Sequence, residues 1–301
     1  MKILMIGAGG LGAYFGMRWL KAGVDVSFLV REKRKAQLDQ FGLIVQTPTE
    51  TLTEKVRALT EDELVESYDV VILSPKAYDL ESAAQTVEKV KGNPMIVPLL
   101  NGLDHIDYLD QRFGSDRVLG GIVHIAATLT ADGVVKQLSP MHKLTLGART
   151  DAQAQVVNHF MQVSQKCPYD FVVADNIIQS LWDKWVFLAT LAATTTLMKA
   201  SVGQIVATRF GSDMIQACYA SCSKVATLSG YPIIEPVKAQ AMKLLLEPGS
   251  AFTASMLRDS QAGLKTEHEH ILGAMTARAK QLDVEVPLIE AAYIALAIKA
   301  N

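Results

Sequence analysis

The amino terminus, MKILMIGAGGLGAYFGMRWLKAG, places five glycines among its first sixteen residues, directly after an apolar run. Glycine costs backbone entropy and brings no side chain to pack. Such a density needs a reason, and the spacing Gly7-x-Gly9-x-x-Gly12 supplies one. Lys2-Ile3-Leu4-Met5-Ile6 reads as a buried strand. Leu11, Tyr14, Phe15 and Trp19 recur at helical spacing and Gly23 closes that helix, after which Val24 to Val30 alternates as a second strand. Glycines spaced this way between a strand and a helix form the dinucleotide fingerprint. The first makes the tight turn, the second lets backbone approach a pyrophosphate, and the third lets helix pack on strand. The pyrophosphate rests on free N–H groups at the helix start, where the helix dipole favours negative charge. The plainer alternative, a glycine-rich turn between packed elements, accounts for the glycines but not for their context.

The pattern continues along the first half. Asp69 to Leu73 and Met95 to Leu100 read as short buried strands, with helical stretches such as Asp79 to Val90 between them. Strands alternating with helices predict a parallel sheet with helical crossovers. From Gly121 to Gly147 the segments are short and broken by turns, and an antiparallel extension of the same sheet is expected there. Beyond Tyr169 the texture changes. Ile177–Met198, Ser212–Ser229, Pro236–Leu246, Thr266–Leu282 and Pro287–Lys299 all read as helices, and no strand is expected. The expected architecture is an α/β Rossmann-type dinucleotide-binding domain over residues 1–168, followed by an all-α C-terminal domain over residues 169–301.

Composition narrows the partners. A net charge of −2 gives nothing to draw the chain to nucleic acid or acidic lipid. The longest uncharged apolar stretch, Trp185 to Met198, has fourteen residues, four of them threonine, short of the ~20 that a bilayer requires. The N-terminal apolar run is broken by glycines and followed by Arg18 and Lys21, unlike a signal peptide. Three cysteines without metal-type spacing read as buried thiols. A soluble, cytoplasmic protein is expected. His268 and His270 stand two apart, about 200° around a helix, so they cannot share an ion; they read as surface histidines, and no metal is expected. The apolar C-terminal helix, LIEAAYIALAIKA, has a face for the protein's own core or for a second subunit, which leaves a homodimer open.

Particular residues carry the chemistry. The second strand ends at Arg31, where an NAD site places an acid for the ribose 2′-hydroxyl and an NADP site places an arginine for the 2′-phosphate. Arg31, with Lys33, Arg34 and Lys35 beside it, favours NADPH; the alternatives are a solvated charged helix start, or Glu32 serving a ribose hydroxyl. Lys76 and Asn101 follow the strands Asp69–Leu73 and Met95–Leu100, at the carboxyl edge where open sheets bind ligands. Either also suits a simple helix entry, and Gly102 makes the Asn101 segment read as a plain turn. Lys184, in WDKW, precedes a long apolar helix, and lysine is rarely buried without a partner. Glu267 is a candidate partner. Such a pair serves carbonyl reduction, with the lysine as proton donor, or else is a structural ion pair.

Together these segments resemble the ketopantoate reductase (2-dehydropantoate 2-reductase) family over the whole chain. MKILMIGAGGLGAYFG and the strand ending LVR are similar to its NADPH site, which implies Gly7, Gly9, Gly10, Leu11, Gly12, Arg31, Lys76 and Asn101 as cofactor-binding residues. SPKAYD and LLNG resemble its substrate-side segments, implying Lys76 and Asn101 at the substrate. WDKWVFLATLAATTTLM followed by SVGQI resembles its catalytic helix, and SMLRDSQAGLKTE its signature near the end. The resemblance implies Lys184 and Glu267 as catalytic and Ser255 as substrate-binding, in NADPH-dependent reduction of a 2-oxo acid, ketopantoate above all, as in pantothenate biosynthesis. The chain departs from the family at Leu188, Ala192 and Val202, where family members carry asparagines. Thr195 falls on the same expected helix face and offers a hydroxyl in their place. The departures leave open a related 2-oxo acid, opine or imino-acid dehydrogenase, or a silent NADPH-binding regulator.

Overall fold

The computed structural model describes residues 1–300, and the chain forms two compact units. One comprises Met1–Leu100 with His105–Ile178; the other comprises Asn101–Asp104 and the residues from Gln179 onward.

The first unit runs β1 (Lys2–Ile6), α1 (Gly10–Lys21), β2 (Asp25–Leu29), α2 (Glu32–Phe41), β3 (Leu43–Gln46), β4 (Thr51–Glu54), β5 (Arg57–Leu59), β6 (Val70–Leu73), α3 (Leu80–Glu88), β7 (Met95–Pro98), α4 (Asp104–Phe113), β8 (Gly120–Leu129), β9 (Val134–Gly147), α5 (Ala154–Ser164) and β10 (Asp170–Val173). Its first sheet is parallel, in the order β5-β2-β1-β6-β7. Counted among themselves these strands read 3-2-1-4-5, the dinucleotide-binding order. β1, β2 and β6 are almost wholly buried, as apolar strands covered on both faces must be.

A second sheet has the order β10-β9-β3-β4, with β8 paired to β9. Gly121 to Gly147 thus forms the expected antiparallel hairpin, but in this separate sheet rather than as an extension of the first. β9 takes its other neighbours from distant short segments, β3 and β10, both parallel to it. Among the described residues, an isolated bridge, Ile96 to Val118, reaches from β7 toward it. β10 corrects the expectation of no strand beyond residue 169. Its four residues, DFVV, are mostly exposed and carry too short a pattern to be read alone. Tyr169, just before it, accepts a hydrogen bond from Trp19 Nε1 at 2.8 Å and so ties this stretch to α1.

α1 packs on β1 and β2 of one sheet and on β3, β8 and β9 of the other. Residues Gly12 to Trp19 are buried without interruption, so this helix lacks the polar face of a surface helix. Such a position demands close backbone approach at its start. A Cβ on Gly12 would run into the Gly7 carbonyl and Ser74 Oγ.

The second unit is helical among the described residues: α6 (Ile177–Met198), α7 (Val202–Val206), α8 (Gly211–Leu228), α9 (Glu235–Leu245), α10 (Ser255–Gln261), α11 (Ala274–Gln281) and α12 (Pro287–Ala300). α6 buries a threonine-rich stretch because Thr190, Thr194 and Thr195 donate their hydroxyls to the carbonyls of Val186, Thr190 and Leu191 at 2.9, 2.8 and 2.6 Å. After Lys199, at φ +51°, Ser201 and Gln204 form a capping box that starts α7. α12 buries Ile289, Ala292 and Leu296 and leaves Ile294 and Ile298 exposed. No helix among the described residues is long and apolar enough to cross a membrane.

Gly9 provides a control for Gly12, because a Cβ there would meet nothing within 4 Å. Gly12→Ala is expected to cost about 1–3 kcal/mol, since the obstructing atom is backbone. That corresponds to a fall of about 2–12 °C in Tm. Gly9→Ala should melt within about 0.5 kcal/mol of wild type. Thermal denaturation of both decides it, and an unchanged Tm for Gly12→Ala would show that α1 can shift to make room.

Candidate active site

The glycine turn lies at the carboxyl end of β1. Gly7 has φ +98°, which only glycine adopts readily, and its N–H donates to the Leu29 carbonyl at 3.0 Å. Gly9 caps α1 with no side-chain hydrogen bond, and the first helical turn, which holds Gly10, Leu11 and Gly12, carries no acid. A Cβ on Gly10 would lie 2.9 Å from the Ala127 carbonyl of β8, whereas Gly9 faces open space. The turn therefore offers uncapped N–H groups, room above Gly9 and nothing negative, which fits a pyrophosphate.

Arg31 is the residue before α2, in extended conformation. Its side chain is 85% exposed, and its nearest acid is Asp79, with Nη2 to Oδ2 at 3.6 Å. Its basic neighbours divide by role. Arg34 Nη1 donates to the Gly133 carbonyl at 2.8 Å, and burial lowers its pKa. Lys35 pairs with Asp39 at 2.8 Å and with Glu63 at 3.8 Å. Lys33 and Glu32 are exposed. Lys76, exposed, starts the short helical turn Ala77–Asp79 that follows β6. Arg34 and Lys35 are thus held close to the protein, while Arg31, paired loosely with Asp79, keeps most of its side chain in solvent.

In the second unit, Lys184 Nζ donates to Asn101 Oδ1 at 3.0 Å. The two are 83 positions apart in sequence. Asn101 stands in the turn after β7, and Gly102 beside it has φ +84°. Glu267, with 7% of its surface exposed, is the charged group nearest in effect to Lys184. Burial pulls the Lys184 ammonium down to about 8, against the Glu267 carboxylate, which raises it. A lysine near 8 holds its proton at neutral pH yet releases it readily. Three of the candidate residues, Lys184, Asn101 and Glu267, thus come from α6, the β7–α4 turn and the segment after α10.

Ser255, half-buried, is the first residue of α10. The N–H of Ala254 before it donates to Thr195 Oγ1 at 3.4 Å, while Thr195 donates to Leu191 O at 2.6 Å. Both hydrogen-bonding roles of Thr195 are taken inside the protein, so it does not replace the missing asparagines, contrary to the expectation from its helix face. Ala192 and Val202 are also buried, at 1% and 0% exposure, and of the departing positions only Leu188 is accessible. The histidines differ from expectation too. His268 is half-buried, hydrogen-bonded to Thr266 Oγ1 at 2.8 Å and packed on Tyr293. Among the described residues no group of three His, Cys, Asp or Glu is arranged to hold a metal ion.

Two features at this site escape a reading of the sequence. Trp185 Nε1 donates to the Ile271 carbonyl at 3.1 Å, and residues Glu269–Gly273 form a π-helical turn. A tryptophan on each side of Asp183-Lys184 is the one hint of the first; the stretch TEHEHILG has no signature for the second.

Known proteins resemble this chain in sequence and fold. The family described as "Ketopantoate reductase PanE/ApbA" matches residues 3–151, and "Ketopantoate reductase PanE/ApbA C terminal" matches residues 176–300. The chain is 30% identical over 297 residues to the uncharacterized oxidoreductase YkpB of Bacillus subtilis (strain 168), covering 97% of each. It is 25% identical over 291 residues to the 2-dehydropantoate 2-reductase of Halobacterium salinarum, covering 96% of this chain and 95% of that one. A ternary structure of D-mandelate dehydrogenase with NADH and anilino(oxo)acetate shares the fold, at a TM-score of 0.88 and 21% identity over 100% of this chain and 98% of the other. The two matched segments span both units, and this chain is an oxidoreductase that belongs to the ketopantoate reductase family.

Proposed function

We propose that the protein reduces a 2-oxo acid to a 2-hydroxy acid with NADPH, and that Lys184 is its proton donor. The observation that carries the reading is the Lys184 ammonium, hydrogen-bonded to Asn101 and held near pKa 8 by burial and Glu267. NADPH, when bound, supplies a hydride for the keto carbon. Gly7, Gly9, Gly10, Leu11 and Gly12 hold its pyrophosphate, Arg31 faces its 2′-phosphate, and Lys76 and Asn101 complete the cofactor and substrate contacts. Lys184 Nζ gives its proton to the keto oxygen as negative charge develops there. Asn101 Oδ1 orients the ammonium, and the Glu267 carboxylate keeps it protonated. Ser255 hydrogen-bonds the substrate.

Ketopantoate is the reference substrate by family, and reduction of it would place the protein in pantothenate biosynthesis. Leu188 favours a less polar tail. It is the accessible member of the positions where the family presents amides, and ketopantoate carries a hydroxyl whose burial without a partner is penalised.

Lys184→Ala is expected to lower kcat by about 10²- to 10⁴-fold while NADPH binding survives. In wild type the reduction rate should fall as pH rises through about 8, because the donor must be protonated and burial depresses its pKa. A pH–rate profile flat from 7 to about 9 would remove Lys184 from this role.

For the cofactor, NADPH should bind more tightly than NADH. Arg31→Ala should weaken NADPH about ten- to hundredfold and leave NADH nearly unchanged, the effect of losing one charged hydrogen bond. Titration of protein fluorescence with each cofactor reads both constants, and equal wild-type affinities would refute the assignment.

For the substrate, kcat/KM is compared for ketopantoate, 2-oxoisovalerate, 2-oxoisocaproate and phenylglyoxylate. Leu188→Asn should improve ketopantoate relative to the other three by about three- to tenfold, the worth of one neutral hydrogen bond. If wild type already prefers ketopantoate and the variant gains nothing, Leu188 does not read the substrate tail.

A further inference from the structure

π-Helical turns are rare. They arise as one-residue surpluses inside α-helices, frequently at functional sites. Here the turn Glu269–Gly273 leads into α11, directly after Glu267, whose carbonyl accepts the Ile271 N–H at 3.1 Å. Two successive carbonyls of this turn each meet an element that carries a candidate site residue. The His270 carbonyl lies against Gly102, where a Cβ would stand 2.8 Å from it. The Ile271 carbonyl accepts the Trp185 indole N–H at 3.1 Å. Gly102 follows Asn101 in sequence, Trp185 follows Lys184, and those two side chains are themselves hydrogen-bonded at 3.0 Å. The turn is braced from its far side, where Tyr293 of α12 donates to Glu269 Oε2 at 2.7 Å. Ile271, Leu272 and Trp185 are almost completely buried, so the Trp185–Ile271 contact forms in a packed interior, while the Tyr293–Glu269 brace lies at the surface.

We propose that the π-helical turn Glu269–Gly273 sets the geometry of the proton-donating group, with Trp185 as the positioning residue that fastens the Lys184 helix to it. This rests on the reading of Lys184 as proton donor. The extra residue sets the angular phase of Glu267 relative to α11. Removing it would restore α-helical phase and swing the preceding residues by about 100° around the axis. The Trp185 indole fixes α6 against the Ile271 carbonyl, and the Gly102 contact fixes the Asn101 turn against its neighbour. Lys184, Asn101 and Glu267 are then registered to one short piece of backbone.

Two variants test this. Trp185→Phe removes the N–H and keeps an aromatic ring beside Trp182, whose ring centroid lies 5.0 Å from that of Trp185. Deletion of His270 removes the surplus residue. Both are assayed with the 2-oxo acid of highest kcat/KM in the panel, over a range of pH, beside Lys184→Ala, and their folding is followed by circular dichroism. Trp185→Phe should lower kcat about three- to thirtyfold with the Kd for NADPH unchanged, as expected of a small misplacement. Its alkaline limb should move to lower pH, because a looser Glu267 raises the Lys184 pKa less. A merely structural role for Trp185 would lower Tm and leave that limb in place. The deletion should lower kcat at least about a hundredfold in a protein that still binds NADPH. If the deletion variant does not fold, Trp185→Phe alone decides. If Lys184→Ala is inactive while Trp185→Phe keeps the wild-type kcat and alkaline limb, the positioning proposal is overturned and the donor assignment stands. If Lys184→Ala is fully active, the donor assignment itself falls.

Discussion

The first unit depends on one close contact, the backbone of α1 at Gly12 against the Gly7 carbonyl, where no Cβ fits. Because the helix can start that near the strand, its body runs between two sheets and is buried on every side. Its side chains then serve as the shared core. Phe15 packs on Tyr169 and Trp19 on Phe160, while Tyr14 meets His142, all from segments more than a hundred residues along the chain. Arg18, buried on the same helix, is held by Glu50 at 2.7 Å and stacks over Tyr14. The same few glycines leave the N-terminal end of the helix uncapped and open. Close packing and an open helix start therefore share one stretch of backbone, and a substitution there affects one or the other according to which way its Cβ points.

In the second unit the controlling balance is electrostatic. Burial works against the Lys184 charge and Glu267 works for it, and the result near 8 is a cation poised to lose its proton. Asn101 adds an acceptor without adding a charge. A second carboxylate in its place would push the lysine pKa upward and slow proton release.

How much of this was legible in the sequence follows from how local each constraint is. The glycine turn and Arg31 declare themselves because their reasons lie within thirty residues, in a strand, a turn and a helix. Arg34 and Lys35 look equivalent to Arg31 until their partners Gly133 and Glu63 appear, and those are set by tertiary structure. The second sheet was hidden because β9 recruits β3 and β10, too short to announce themselves, from opposite directions along the chain. Lys184 and Glu267 read as a candidate pair from a lysine ahead of an apolar helix and an acid to partner it, with family resemblance implying their roles, but the Asn101 hydrogen bond between distant segments is invisible in the sequence. Thr195 misled because periodicity gives a helix face but not the bonds already made there.

The chain does not change units only once. Asn101–Asp104 leaves the first unit, joins the second, and the chain then returns to the first at His105. The acceptor for Lys184 therefore emerges from the ribosome well before the helix that carries the lysine. A fragment beginning at Gln179 would contain the lysine and Glu267 but not Asn101. In evolutionary terms the helical half is not a freely transferable module. Joined to a different dinucleotide-binding domain, it would bring Lys184 without its hydrogen-bond acceptor, unless the new domain carried an asparagine in the equivalent turn.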